Sequence, residues 1–185
     1  IFCWNNLRSE VTDFVRSCKT CSLSKAAQNT HLGHLSSTVS SLPLEKIFID
    51  FVGPMVRSRS GNTFIFVCVD SFSKFCWISP IRNATSELAI RELRNIFRNF
   101  GSPEILVSDN AKQFTSHCFE KFCFGLGIKH ITTTPYYPQP SHAERFNRNL
   151  KSSLIAFHSN HHQSWDENLH WLQQAFNTAR HESHL

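Results

Sequence analysis

Apolar residues gather into short runs through the middle of the chain and spread to helical spacing around them. The run Lys46-Ile47-Phe48-Ile49-Asp50-Phe51-Val52 is almost continuously apolar and stops at Gly53-Pro54, which predicts a buried strand. A turn over Arg57-Ser58-Arg59-Ser60-Gly61-Asn62 leads into a second strand, Thr63 to Val69, and a third spans Phe75 to Ser79. Together they predict an antiparallel meander, its first hairpin centred near Ser58, which sets Asp50 near Phe66. A helix is expected from Thr85, a good N-cap, to Phe100, with Leu88, Leu93, Ile96, Phe97 and Phe100 on its apolar face and Gly101-Ser102-Pro103 as its stop. Ile105 to Ser108 predicts a fourth strand, Ser116 to Leu126 a helix ended by Gly127, and Lys129 to Thr133 a fifth strand. Two more helices are expected, from Ser141 or His142 to about His158 and from Trp165 to about Arg180. Ahead of all this, Asn6 to Arg16 spaces Leu7, Val11, Phe14 and Val15 at helical intervals. The order βββαβαβαα predicts an α/β fold, a mixed five-stranded sheet with helices on both faces.

Composition sharpens this outline. A chain of 185 residues suits one domain, here 46–185, plus an appendage. Seventeen Phe and four Trp against six Gly point to a packed core rather than disorder. Residues 26–45, with Ser36, Ser37, Ser40, Ser41 and Pro43, read as a linker. The net charge of +5 is compatible with a nucleic-acid partner without requiring one. Seven cysteines are an odd number, and Cys68, Cys76, Cys118 and Cys123 lie in apolar contexts as small hydrophobes, which favours a reducing compartment. No run of 18 apolar residues predicts a membrane span, and no membrane partner is expected. The chain starts at Ile1 with no signal-peptide pattern and reads as a piece of a longer protein.

Three acids stand apart from the rest. Asp50 lies inside the first strand, on the face of Phe48 and Val52; Asp109 ends the fourth; Glu144 opens the helix after a Pro- and Ser-rich turn. An unpaired buried carboxylate is costly, so Asp50 asks for a cation unless its strand position is exposed. Asp109 alone also reads as an Asx turn into Asn110-Ala111-Lys112-Gln113, and Glu144 alone as an acid favoured by the helix dipole. Together they offer hard oxygen ligands for divalent ions and phosphoryl transfer. Asp70 reads as a strand-end turn residue, about 13 Å along the sheet from Asp50. Glu87, Glu92, Glu120, Asp166 and Glu167 read as helix-surface acids. Glu144, Arg148 and Lys151 form one stripe of their helix with Asn147 beside it, opposite Phe146, Leu150, Leu154 and Phe157. That polar face suits a phosphate backbone or is simply solvated. Cys18-Lys19-Thr20-Cys21 after the first helix is half of a zinc site, completed upstream, by His31 and His34 at an unusual spacing, or not at all. His158, His161 and His162 read as loop and surface residues.

The motifs Phe51-Val52-Gly53-Pro54-Met55, Val69-Asp70-Ser71-Phe72-Ser73-Lys74-Phe75, Val107-Ser108-Asp109-Asn110, Gln113-Phe114 and Pro138-Gln139-Pro140-Ser141-His142-Ala143-Glu144-Arg145, in that order, resemble the integrase region of the Pol polyprotein of gypsy-type long-terminal-repeat retrotransposons. The resemblance spans nearly the whole chain. It implies a ribonuclease-H-like catalytic core whose Asp, Asp, Glu triad falls on Asp50, Asp109 and Glu144, holding two Mg²⁺ or Mn²⁺. It also implies that residues 1–25 are the end of an amino-terminal zinc domain, with Cys18 and Cys21 as Zn²⁺ ligands. The implied activity is 3′-end processing of retroelement DNA and its strand transfer into target DNA. A homo-oligomer working in the nucleus after assembly in cytoplasmic particles would perform it, with Gln113, Asn147, Arg148 and Lys151 near the DNA. The alternative is an inactive or host-adopted fragment that only binds nucleic acid. Two departures stand out. The stretch between the second and third acids is one residue shorter than is usual for the family, and Ala111 occupies a position where Gly is common.

Overall fold

The computed structural model describes residues 3–18, 40–133, 142–157 and 162–179, apart from the side chains at 142–145, 155–157 and 162. Cys21, His31, His34, Ser141, His158 and His161 lie outside the described residues, as does the expected linker as far as residue 39. Five strands form one sheet: β1 (Lys46–Val52), β2 (Phe64–Asp70), β3 (Cys76–Ile81), β4 (Ile105–Ser108) and β5 (Lys129–Thr132), in the order β3-β2-β1-β4-β5. β1, β2 and β3 are the antiparallel meander; β4 runs parallel to β1, and β5 parallel to β4. β1 sits in the middle and is covered on both faces, which is why its sequence is almost continuously apolar.

Alternation along the strands divides the core in two. Ile47, Ile49, Phe66, Cys68 and Leu106 face α2 (Ser86–Phe100) and α3 (His117–Gly125), packing with Leu93, Ile96, Phe119 and Cys123. Val52, Ile65, Val67 and Val69 face the other way, onto Leu150 and Leu154 of α4 (His142–Phe157) and Leu169 and Leu172 of α5 (Leu169–Thr178). Burying one such Leu or Ile side chain is worth about 1.5–3 kcal/mol. The Thr85 and Ser116 hydroxyls accept from Leu88 N and Phe119 N, capping α2 and α3. α1 (Leu7–Ser17) buries none of its residues, so its apolar spacing is not used against the sheet.

Several expectations need correcting. Asp50 pairs with Val67, not Phe66, and Asp70 with Ile47. The hairpin is therefore offset by one residue. Asp70, in step with Cys68 and Phe66, lies on the α2 face, whereas Asp50 lies on the α4 face. Asp70 is buried, accepting from Leu44 N at 3.0 Å and Ser73 N at 2.7 Å, and so serves the strand-end turn. On α2, Ala89 and Ile90 are buried while Phe100 is exposed. Cys118 is exposed too, because it is the outward neighbour of buried Phe119. Cys68, Cys76 and Cys123 are the buried thiols, and burial pushes Cys76 up to about 12 and Cys123 up to about 11.

The last helix starts at Leu169, not Trp165, and a short 3-10 turn, His162–Ser164, precedes it. Trp165 is buried and its indole N–H donates to Val56 O at 2.7 Å. Asp166 is not a surface acid: its carboxylate accepts from Ser58 Oγ at 2.6 Å and Asn62 Nδ2 at 2.8 Å. Burial raises its pKa, but the bonds from Ser58, Asn62 and Ser60 outweigh burial and hold it below the usual carboxylate range. Both residues are spent on docking the β1–β2 loop. That loop leaves β1 at Gly53 (φ +151°), where a Cβ would stand 2.6 Å from the Phe64 ring and 2.9 Å from Thr63 O. Only glycine fits that approach.

Candidate active site

Two parallel strands bring two of the acids together. β1 and β4 pair Phe48 with Val107; continuing the register by two residues sets Asp109 beside Asp50 on the same face, about 4.8 Å apart at the backbone. Asp109 stands just past the carboxyl end of β4 and is exposed. Its Oδ1 accepts from Ala111 N at 3.1 Å, so it makes the Asx turn as well as facing Asp50. Ala111 takes this place without a left-handed backbone, so the missing glycine costs no strain here. Behind the pair, Ser108 Oγ donates to Asp109 O at 2.8 Å and lies 2.9 Å from His130 Nε2.

Asp50 is held by both oxygens. Oδ1 accepts from Phe51 N at 2.7 Å and Oδ2 from Asn147 Nδ2 at 2.5 Å. Burial pushes the Asp50 carboxyl up to about 6; the Phe51 N–H opposes this, the Asp109 charge adds to it, and the Asn147 amide and the Lys151 charge lower it.

Asn147 is the residue that sequence reasoning misplaced. It is 8% exposed and lies on the packed side of α4 with Leu150 and Leu154, where its Nδ2 donates to Asp50 Oδ2. Its Oδ1 is buried with no hydrogen-bond partner. The missed signal is its spacing, three residues before Leu150 and seven before Leu154. Glu144 lies in the first turn of α4, one helical turn before Asn147 on the same row, and its side chain is outside the described ones. Arg148 and Lys151 are exposed on α4. Gln113 is half-buried, and its carbonyl accepts from Ser86 Oγ at 2.7 Å. Cys18 is half-buried just past α1. Among the described residues no three His, Cys, Asp or Glu side chains gather into a metal site.

The family model "Integrase core domain" matches residues 40–138, a span that includes Asp50 and Asp109 and ends before Glu144. The Pro-Pol polyprotein of simian foamy virus type 3 (strain LK3) is 31% identical over 177 residues, covering 95% of this chain and 15% of that protein. The transposon Tf2-3 polyprotein of Schizosaccharomyces pombe is 29% identical over 186 residues, covering 98% of this chain and 14% of that protein. The chain therefore spans a small part of each of these relatives. Among solved structures, the HTLV-2 integrase catalytic core domain in complex with magnesium superposes with a TM-score of 0.61 at 23% identity, covering 76% of this chain and 90% of that one. With its mixed five-stranded sheet of ribonuclease-H-like form and its match to the family model, the chain belongs to the integrase core domain family.

Proposed function

We propose that the chain is a metal-dependent polynucleotidyl transferase that trims the 3′ ends of retroelement DNA and joins them to target DNA, with Asp50, Asp109 and Glu144 as its catalytic acids. One observation carries this reading. Asp50 and Asp109 meet across adjacent parallel strands, and α4 lies against Asp50 through Asn147, one turn past Glu144.

The donor set fits Mg²⁺ or Mn²⁺. Carboxylate oxygens are hard ligands, and an acid that burial and a neighbouring carboxylate hold protonated up to about pH 6 calls for a cation. Two ions held there would supply Lewis-acid stabilisation to the attacking and leaving oxygens of a phosphodiester. The protein's own share is positioning. Phe51 N–H and the Asn147 amide fix both oxygens of Asp50, and Ala111 N–H orients Asp109. Lys151 and Arg148 offer exposed cations to phosphates on the same helix. Cys18 and Cys21 are then half of a Zn²⁺ site completed upstream, and the working form is a homo-oligomer on DNA in the nucleus.

The test is an Mn²⁺-dependent assay on labelled DNA ends, comparing the chain extended upstream with its Asp109→Asn variant. Trimmed and joined products are expected from the first and neither from the second. Joined products from Asp109→Asn would overturn the assignment. Trimming without joining in the unsubstituted chain would favour a nuclease. Salt-sensitive DNA affinity with no product would favour the binding-module alternative.

A further inference from the structure

The turn between β1 and β2 carries Arg57 and Arg59, and Arg82 follows β3; all three are exposed. The fold brings two of them to one point. A Cβ built on Gly61 would have Arg57 Nη2 at 3.6 Å, Arg57 Nε at 3.8 Å and Arg82 Nε at 3.8 Å. The two guanidinium groups therefore reach the same glycine, which the turn requires for its φ of +88°. Like charges at this range repel unless an anion lies between them. Among the described residues the ion pair is Arg91 with Glu92, and no carboxylate is paired with Arg57, Arg59 or Arg82. Asp166, which accepts from Ser58 Oγ and Asn62 Nδ2 in this loop, makes no ion pair with Arg57 or Arg82.

The loop is held in place. Ser58 N donates to Asn62 O at 2.9 Å, Gly61 N to Ser58 O at 2.9 Å, Arg59 N to Gln163 O at 2.9 Å, and the Trp165 indole to Val56 O at 2.7 Å. A cationic site on so fixed a loop gives up little entropy when it binds.

Position supplies the ligand. β1, β3 and β4 all point the same way, so the turn after β1, Arg82 after β3 and Asp109 after β4 share one edge of the sheet. Arg82 is four residues further along the strands than Asp50 and two strands across, about 17 Å away, or roughly five base steps of a DNA strand at 3.4 Å each. We infer that Arg57 and Arg82 form a clamp for the phosphodiester backbone of duplex DNA lying across the carboxyl edge of the sheet, away from the scissile bond. The inference rests on the DNA-joining reading and extends it. Planar guanidinium forks suit phosphate oxygens, and such contacts carry no base preference.

The experiment is duplex-DNA binding by fluorescence anisotropy in EDTA, from 50 to 200 mM salt, for the 185-residue chain, Arg57→Ala/Arg82→Ala, Arg57→Lys/Arg82→Lys and Arg98→Ala. Two lost phosphate contacts should flatten the slope of log K against log salt by about 1.8 and weaken binding about 10- to 100-fold near 0.1 M salt, alike for unrelated sequences. The lysine pair should keep most of the slope, and Arg98→Ala, on α2 across the sheet, should match the unsubstituted chain. Circular dichroism confirms that each variant is folded. An unchanged slope in the alanine pair, with salt-dependent binding by the unsubstituted chain, overturns the clamp and leaves the DNA-joining reading standing. No salt-dependent binding by the unsubstituted chain overturns both.

Discussion

At the scale of single residues, the site is shaped by how Asp50 is held. Its carboxyl is raised to about 6 by burial, with Asp109 adding to the rise. A folded-state pKa above the unfolded value of 3.8 means that the fold favours the protonated form. That stability is fully present below about pH 4 and lost as pH rises through about 6. Asp50→Asn should therefore stabilise the metal-free protein at pH 7–8 by about 1–3 kcal/mol and flatten its stability between pH 4 and 6, read by urea unfolding across pH. Equal stability of the two proteins at pH 7.5 would show that Asp50 is not strained. Asn147→Ala removes one of the groups that lower the Asp50 pKa. Calorimetry should then show Mn²⁺ affinity falling about 10- to 100-fold at pH 7, as for other partners of metal ligands. An unchanged affinity would make Asn147 a packing residue only.

At the scale of elements, strands and docking contacts differ in how they can be read. β1 and β4 match their sequence expectation residue for residue, because each is a buried apolar run with an abrupt polar end. The β1–β2 register does not, because loop geometry set by Gly53 and Gly61 offsets the hairpin by one residue, and apolar pattern alone does not encode that. Trp165 fits the periodicity of Leu169 and Leu172, so it reads as helix; its hydrogen bond to Val56, far away in sequence, keeps it out. Asn147 failed for the opposite reason, its polarity suggesting solvent where its spacing with Leu150 placed it inside. The latch from Asp166 to Ser58 and Asn62 is testable as an element contact. Asp166→Ala should cost about 1–3 kcal/mol of stability through the donors it strands, read as a lower urea midpoint. No change in midpoint would mean that water replaces the carboxylate without loss. On α4, Leu154→Ala should cost about 2–5 kcal/mol, since Leu154 is 2% exposed in the core shared with β1 and β2.

At the scale of the whole molecule, the two faces of the sheet divide the labour. α2 and α3 close one face into a core rich in Phe, while α4 and α5 close the other and bring Asn147 of α4 to Asp50. The chain carries a net charge of +5 and spans a small part of the far longer polyproteins it matches. The proposed chemistry requires Asp50, Asp109 and Glu144 to act as one site. The most direct measurement is strand transfer in Mn²⁺ by the upstream-extended chain, run beside its Glu144→Gln variant with thermal unfolding of both. Joined DNA is expected from the first, none from the second, and a shared melting temperature. Joined DNA from a folded Glu144→Gln protein would contradict that requirement.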